Sequence, residues 1–371
     1  MTLPGAERLL QLLAGRRAGL VTGPSGWLGA GGHLADLLAA HGCLAALFAP
    51  EHGVWGDRQA GERIDDARDA RLGCPVHSLY GPAARPTAAQ LDGLDVLVGC
   101  LQDAGARPYT YAQTLAGCLD ACAETGRPMI VLDRPTPLGG AIAQGNVAAG
   151  AFFAVPTPMR PGLTVGEHLR LYQAARALDV ELAVVPLLNV PRHRWYDETG
   201  LPWVAPSPNL PTLDSALCFA ATVVLEATNA SEGRGTTRPF ELLGAPWCDG
   251  HALAEELDRR ALPGLLARPA AFIPSFSKHA GEVCRGVQLH VTDRLRFDAP
   301  RTGLHVLDAL RCRHPGAFAV DAAALDARYH TGAVREAWQA GVPPDDIAAG
   351  WVGESAAFQE RWVDQVVTPL S

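Results

Sequence analysis

Short apolar runs recur through the first half of the chain, and they restrict the fold more than any other feature. Segments with helical spacing separate these runs, which lie at 18–22, 44–48, 76–80, 95–101, 129–132 and 182–187. Continuous apolar runs are typical of strands that are covered on both faces, as in a parallel sheet. Their alternation with helices predicts a doubly wound α/β domain.

The pattern changes after about residue 212. Apolar and polar residues alternate over 287–292, which predicts a half-buried strand, and helical spacing marks 253–260, 304–310, 333–340 and 358–366. A length of 371 residues also favours two domains. We therefore expect an N-terminal domain at 1–212 and a smaller C-terminal α/β (α+β) domain at 213–371. The proline-rich stretch 189–211 fits an ordered loop across the sheet edge or an interdomain connection.

Composition narrows the functional classes. A formal net charge of -8 argues against a nucleic-acid partner, which would require a basic patch. The apolar runs are too short for a membrane span. The first residues lack a basic segment followed by an apolar one, and the nine cysteines form no CxxC pair. These features predict a cytoplasmic protein with structural cysteines and no membrane partner.

Polar groups follow the predicted strands where ligands bind in such sheets, outside the carboxyl ends. Four of the five turns carry functional side chains; the turns are 23–26, 50–53, 81–82, 102–111 and 133–140. Glu51 at a strand end is a natural acid or base, although a helix cap or turn residue fits as well. Asp103 with Arg107, and Asp133 with Arg134, form acid–base pairs that either shape the turns or bind substrate. Tyr109 and Tyr111 are candidates for hydrogen bonds to a ligand.

Other site chemistry has weaker support. Residues 23–26 lack the spacing of a phosphate-binding loop, and Ser25 lacks the G-x-S-x-G surroundings of an esterase nucleophile. His52 has no accompanying set of metal ligands. We therefore expect no cofactor and no metal.

The stretch 229–241 has an unusual density of charge. It holds Glu232, Arg234, Arg238 and Glu241 with three hydroxyl side chains and two glycines. Buried charges must be paired or they cost several kcal/mol, so the stretch predicts either a solvated loop or the lining of a polar site.

Five motifs in this order resemble the NamZ family, once called DUF1343, over nearly the whole chain. They lie at 50–53, 102–111, 132–135, 206–209 and 231–241. The resemblance implies a Rossmann-like domain, a C-terminal α/β domain and an active site in the cleft between them. It also implies an exo-β-N-acetylmuramidase, which releases N-acetylmuramic acid from the non-reducing end of peptidoglycan fragments. Many members are exported, and Trp55 and Pro108 depart from the usual motifs.

The resemblance also implies roles for individual residues. Glu51 is the expected general acid, Glu232 a second carboxylate or a ligand of sugar hydroxyls, and Asp103 a reserve catalytic residue. The lactyl carboxylate of the substrate requires arginine. The expected substrate-binding residues are His52, Arg107, Tyr109, Tyr111, Asp133, Arg134, Asn209, Arg234, Thr236 and Arg238.

Retaining, inverting and substrate-assisted mechanisms all fit these residue types. The alternatives in function are a non-catalytic binder of muropeptides and a serine esterase that uses Ser25. The oligomeric state stays open.

Overall fold

A computed structural model describes residues 3–81 and 84–363. Its strands are β1 (Ala18–Thr22), β2 (Leu44–Ala49), β3 (Ala67–Arg68), β4 (Pro75–Ser78), β5 (Val96–Cys100), β6 (Met129–Asp133), β7 (Ala148–Gly150), β8 (Phe153–Thr157), β9 (Leu182–Pro186), β10 (Leu242–Ala245), β11 (Leu265–Phe272) and β12 (Cys284–Val291). Seven of them form one sheet in the order β3-β4-β2-β1-β5-β6-β9. Only β3 runs antiparallel to its neighbour. The predicted mostly parallel sheet is confirmed.

The helices are α1 (Pro4–Leu12), α2 (Leu34–Ala40), α3 (Ala88–Leu91), α4 (Tyr111–Thr125), α5 (Val165–Arg176), α6 (Leu213–Thr222), α7 (Gly250–Arg259), α8 (Ala299–Arg313), α9 (Ala322–Tyr329), α10 (Ala333–Gln339) and α11 (Pro344–Phe358). Neighbouring residues of a strand point to opposite faces of the sheet. Leu20 accordingly packs in one apolar cluster with α1 and α2, whereas Val21 packs in another with α4 and α5. Helices on both faces confirm the doubly wound fold.

Local sequence explains where the helices on the second face begin and end. Thr164 and Glu167 form a capping box that starts α5. Gly126 ends α4 with a φ of 65°, a left-handed conformation that glycine adopts without strain. The loop that precedes α4 carries residues of the fourth predicted turn, so the start of this helix helps to position the site.

The C-terminal part contains a second, antiparallel sheet in the order β10-β12-β11. The predicted strand at 287–292 falls largely within β12, whereas β10 and β11 escaped prediction because Gly244 and Pro269 interrupt their patterns. Proline is accommodated in β11 because this strand lies at the sheet edge. The predicted helices up to residue 340 correspond to α7, α8 and α10. Of the helix predicted at 358–366, Phe358 is the last residue of α11, Gln359–Val363 are π-helical, and 364–366 lie outside the described residues.

The two parts share one apolar cluster, which includes Leu115 of α4 and Leu307 of α8. A division at residue 212 stays a prediction. The stretch 189–211 is mostly irregular, as expected, with one 3₁₀ turn at Tyr196–Glu198. Over the described ranges, the helices are all too short or too polar to cross a membrane.

Candidate active site

A cavity of about 610 Å³ lies beyond the carboxyl ends of the parallel strands. One wall comes from the turns after β2, β4 and β5, and the opposite wall comes from the C-terminal part. Its lining includes Glu51, His52, Tyr80, Tyr109, Thr110, Phe152, Asn209, Glu226, Arg234, Phe240 and Arg328. Among them, Glu51, His52, Tyr109, Asn209 and Arg234 were predicted to form the site. The structure brings these five together around one space.

Glu51 follows β2, and neutral groups hold its buried carboxylate. Its Oε2 accepts a hydrogen bond from the Thr110 hydroxyl at 2.9 Å, and its Oε1 accepts one from the Gly61 amide at 3.2 Å. Tyr80 lies close by, and burial together with the charge of Glu51 raises the pKa of Tyr80 to about 12. Within the described ranges Glu51 forms no salt bridge. Its protonation therefore breaks no ion pair.

Tyr111 fixes the backbone of Glu51 instead of binding a ligand. Its hydroxyl lies 3.0 Å from the carbonyl oxygen of Glu51 and 2.8 Å from that of Pro206. The side chain is fully buried and does not line the cavity. Asn209, by contrast, does line it, and its Nδ2 donates to Gln59 Oε1 at 3.1 Å.

The opposite wall holds a network of five charged side chains. Glu226 accepts hydrogen bonds from Arg234 and, at 2.6 and 3.0 Å, from Arg328. Glu232 pairs with Arg234 at 3.2 Å and with Lys278 at 3.0 Å. Burial opposes the charge on Glu226, but the two arginines outweigh it and hold its pKa below the ordinary value. Three cations against two carboxylates leave one positive charge in excess.

Each arginine of this network has one guanidinium nitrogen outside these ion pairs. Arg234 uses NH2 and Nε for its carboxylate partners, and Arg328 uses Nε and NH2. Their NH1 groups make no hydrogen bond to a described residue, and both side chains line the cavity. Phe240 lies 4.9 Å beneath the Arg234 guanidinium and Phe152 lies 5.0 Å beneath that of Arg328. Stacking on rings orients the guanidinium planes.

The stretch 229–241 forms part of the cavity lining, which is one of the two arrangements that its composition predicts. Glu232 and Glu241 are buried, and only Arg234 and Phe240 of this stretch are among the residues that line the cavity. Glu232 lies behind Arg234 and fixes it by an ion pair. Thr236 donates to the Gly233 carbonyl at 2.6 Å, and Arg238 pairs with Glu241 at 3.6 Å. These contacts shape the loop, and neither Thr236 nor Arg238 lines the cavity.

Asp103 and Arg107 do not form the expected ion pair. The Arg107 guanidinium donates to the carbonyl oxygens of Asn146, Thr157 and Tyr329 at 2.6–2.9 Å. Asp103 accepts instead from the Gly105 amide at 2.6 Å, and burial raises its pKa to about 7. Both side chains are buried and lie outside the cavity lining. Arg107 thus ties the fourth turn to the C-terminal part.

Asp133 and Arg134 are likewise directed into the protein. Asp133 accepts hydrogen bonds from the Thr164 hydroxyl at 2.6 Å and the Gly166 amide at 2.9 Å, at the start of α5. Burial raises the pKa of Asp133 to about 7. Arg134 donates to Gln102 Oε1 and to the Tyr196 hydroxyl, both at 3.1 Å. Neither residue lines the cavity, so the structure gives neither of them contact with a ligand there.

Ser25 does not have the setting of a nucleophile. It is fully buried, and its Oγ accepts a hydrogen bond from the Gln102 amide at 3.2 Å. It does not line the cavity. The structure therefore contradicts the esterase alternative. Residues 3–81 and 84–363 contain no group of three or more His, Cys, Asp and Glu side chains placed to hold a metal ion.

Several residues of the cavity escaped sequence reasoning. Tyr80 ends the third predicted strand, and this position could have marked it as a site residue. Glu226 lies three residues before the charged stretch, in a 3₁₀ segment whose mostly apolar sequence is typical of the core. Arg328 and Phe152 lie on α9 and on the β7–β8 turn, and no local motif marks them.

Two family models match the chain. The one described as Exo-beta-N-acetylmuramidase NamZ, N-terminal, matches residues 18–214, and its C-terminal counterpart matches 217–365. The chain belongs to the NamZ family. It is 43% identical over 312 residues to the peptidoglycan beta-N-acetylmuramidase NamZ of Bacillus subtilis strain 168. The aligned region covers 82% of this chain and 75% of that protein.

Solved structures of DUF1343 family proteins have the same fold as this NamZ family member. One from Bacteroides fragilis superposes with a TM-score of 0.86 at 30% identity and covers 96% of each chain. A second from the same species gives a TM-score of 0.78 at 25% identity and covers 98% of each chain.

Proposed function

We propose that the cavity is the active site of an exo-acting glycosidase that releases N-acetylmuramic acid from the non-reducing end of peptidoglycan fragments. Membership of the NamZ family supports this function. The geometry supports it through one observation above all: a carboxyl held by neutral donors faces a wall with two arginines. Glycoside hydrolysis requires the first feature, and an acidic sugar requires the second.

Glu51 is the proposed general acid. A general acid must carry a proton when substrate is bound, and it must give that proton to the glycosidic oxygen. A carboxylate between guanidinium groups stays ionised, as Glu226 does. Among the described residues, Glu51 has the Thr110 hydroxyl and the Gly61 amide as partners and forms no salt bridge, so its protonation breaks no ion pair.

Arg234 and Arg328 are the proposed ligands of the lactyl carboxylate. Both side chains line the cavity, the NH1 group of each makes no hydrogen bond to a described residue, and the network carries one positive charge in excess. A bidentate or paired contact between guanidinium groups and a carboxylate is strong and directional. We propose that Glu232 positions Arg234 and is not a second catalytic carboxylate. Tyr109 and Asn209 keep their predicted role as ligands of the sugar.

The remaining predicted site residues receive structural roles in this proposal. They hold the turns and the loop that carry the ligands; they are Asp103, Arg107, Tyr111, Asp133, Arg134, Thr236 and Arg238.

The test is release of N-acetylmuramic acid from a disaccharide that carries it at the non-reducing end. We expect the purified chain to release the sugar without added metal or cofactor. Saturable binding of the disaccharide without release would instead support the non-catalytic binder. The cytoplasmic location is also a proposal, and fractionation of the source cells tests it.

A further inference from the structure

His52 has a backbone conformation that side chains seldom adopt. Its φ is 73°, in the left-handed region, where a non-glycine residue is uncommon and costs conformational free energy. Two contacts with Arg58 hold it there. The His52 carbonyl accepts from the Arg58 amide at 3.3 Å, and the His52 ring lies 3.1 Å from the Arg58 carbonyl through Nδ1. Such strain persists only where surrounding contacts fix the residue.

The contact with Arg58 also determines where the ring proton lies. A carbonyl oxygen only accepts hydrogen bonds, so Nδ1 carries the hydrogen and donates it. In the neutral ring Nε2 then has a free lone pair. No described residue makes a hydrogen bond to Nε2, although the side chain is buried and lines the cavity. The ring thus offers an acceptor to whatever occupies the cavity.

Burial keeps this acceptor available near neutral pH, because it lowers the pKa of His52 below its ordinary value. Glu51 and the hydrogen bond with the Arg58 carbonyl each raise this pKa by less than burial lowers it, and Arg234 adds the smallest effect, a further lowering. The ionisable groups that line the cavity with His52 are Glu51, Glu62, Tyr80, Tyr109, Glu226, Arg234 and Arg328.

We propose that His52 is a second catalytic residue, the general base of the hydrolysis, a role that rests on the proposed function. As Glu51 gives its proton to the glycosidic oxygen, the bond between that oxygen and the anomeric carbon breaks. The oxygen of a water molecule bonds to the anomeric carbon, and one water proton passes to His52 Nε2. The proton then returns through solvent to Glu51, so that neither residue changes over a full cycle.

The backbone conformation offers a direct test with a His52→Gly variant. Glycine adopts a φ of 73° without strain, so the variant keeps the turn and leaves a space the size of an imidazole ring. We expect kcat to fall about 10²–10⁴-fold, which is the usual contribution of a general base. Added imidazole should restore kcat to at least about a tenth of the value of the original chain. Thermal unfolding verifies that the variant is folded.

Two matched variants make the result specific. Asparagine also tolerates the left-handed region, so His52→Asn has the same loss of kcat, but imidazole does not restore activity because the amide fills the space. Glu51→Gln is likewise inactive with or without imidazole. In rescued His52→Gly, the acidic limb of the pH profile moves up towards about 6.5, where an exposed imidazole titrates.

Two outcomes overturn the proposal. One is a His52→Gly or His52→Asn variant with nearly the kcat of the original chain. The other is a folded, inactive His52→Gly variant that imidazole fails to restore, since that result assigns His52 a purely positional role. Both are read against the unmodified chain. If the unmodified chain releases no sugar, the proposed function fails. If the unmodified chain releases sugar and the variants give either of these two outcomes, only the proposed role of His52 fails.

Discussion

The two walls of the cavity use the same type of side chain in opposite electrostatic settings. Glu51 on the strand-end wall is held by a hydroxyl and a backbone amide, whereas Glu226 on the opposite wall is held by two guanidinium groups. Neutral partners leave a carboxyl free to gain and lose a proton. Cationic partners fix it as an anion and leave the arginines oriented for a ligand. We propose that this difference separates proton transfer on one wall from substrate recognition on the other.

The origin of the two walls explains the difference. Glu51 and its partners belong to backbone turns at one end of a parallel sheet, where amide groups are available as donors. The arginine wall joins a 3₁₀ segment, the stretch 229–241 and helix α9. Side chains from separate elements meet there, and long charged groups span the distances between them.

The largest effect should come from Glu51. Glu51→Gln keeps one acceptor oxygen for the Gly61 amide and offers its NH2 group to the Thr110 hydroxyl oxygen, but it removes the proton donor. We expect kcat to fall about 10²–10⁴-fold, while the midpoint of thermal unfolding stays near that of the original chain. Sugar release measured at saturating substrate tests this. An active Glu51→Gln enzyme would contradict the proposal that the strand-end wall performs proton transfer.

Asp103 extends the comparison to a buried carboxyl that forms no salt bridge with a described residue and does not line the cavity. Burial raises its pKa from 3.8 to about 7, so between these values the folded state binds the proton that the unfolded state has lost. Its contribution therefore destabilises the fold as pH rises through this window. Asp103→Asn should be more stable than the original chain at pH 8, by up to about 4 kcal/mol, and equally stable near pH 4. Urea unfolding at the two pH values measures the difference, and a pH-independent effect would contradict it.

Glu226 should behave in the opposite sense. Glu226→Gln leaves Arg328 without its carboxylate partner and leaves Arg234 with Glu232 alone. We expect a loss of about 2–3 kcal/mol in the free energy of unfolding, below the value for a fully buried pair. Because its folded pKa is lowered, this stability is present above the unfolded value of about 4.3 and is lost as pH falls through the folded pKa. Denaturant unfolding at pH 7 and pH 3 tests the sign. An equal free energy of unfolding for the variant and the original chain at pH 7 would show that the ion pairs of Glu226 do not stabilise the fold.

Arg328 gives the smallest expected effect and concerns recognition. Arg328→Ala removes one free NH1 group, and a hydrogen bond to a charged group contributes about 1.5–3 kcal/mol. KM for a substrate that ends in N-acetylmuramic acid should rise about 10–100-fold, with little change for one that ends in N-acetylglucosamine. Arg328→Lys is the matched control, which keeps the charge and loses the planar donor group. An equal rise in KM for both substrates would refute a contact with the lactyl group.

Much of the fold follows from the sequence because the parallel sheet is buried on both faces. The runs that became β1, β2, β5 and β6 needed no other signal. The C-terminal sheet was only partly predicted, since Pro269 and Gly244 conceal two of its strands, and only β12 has a clear alternation. Helix α9 carries a cavity arginine but has no motif that distinguishes it from a surface helix.

The site was predictable where chain position and side-chain direction agree. Glu51 and His52 follow a strand and line the cavity. Arg107 and Arg134 also follow strands, yet their side chains turn into the protein and bind carbonyl and side-chain oxygens. Position at a strand end does not determine that direction. Arg328 and Glu226 meet only through tertiary packing, across 102 positions of sequence.

We propose that one wall performs proton transfer and that the other recognises the lactyl carboxylate. The most direct test is the ratio of kcat/KM for N-acetylmuramic acid-terminated over N-acetylglucosamine-terminated substrate, measured in the original chain, in Glu51→Gln and in the double variant Arg234→Ala with Arg328→Ala. We predict that Glu51→Gln lowers both values and keeps the ratio, whereas the double variant lowers the ratio at least tenfold. A ratio that changes in Glu51→Gln and persists in the double variant would contradict the division between the walls.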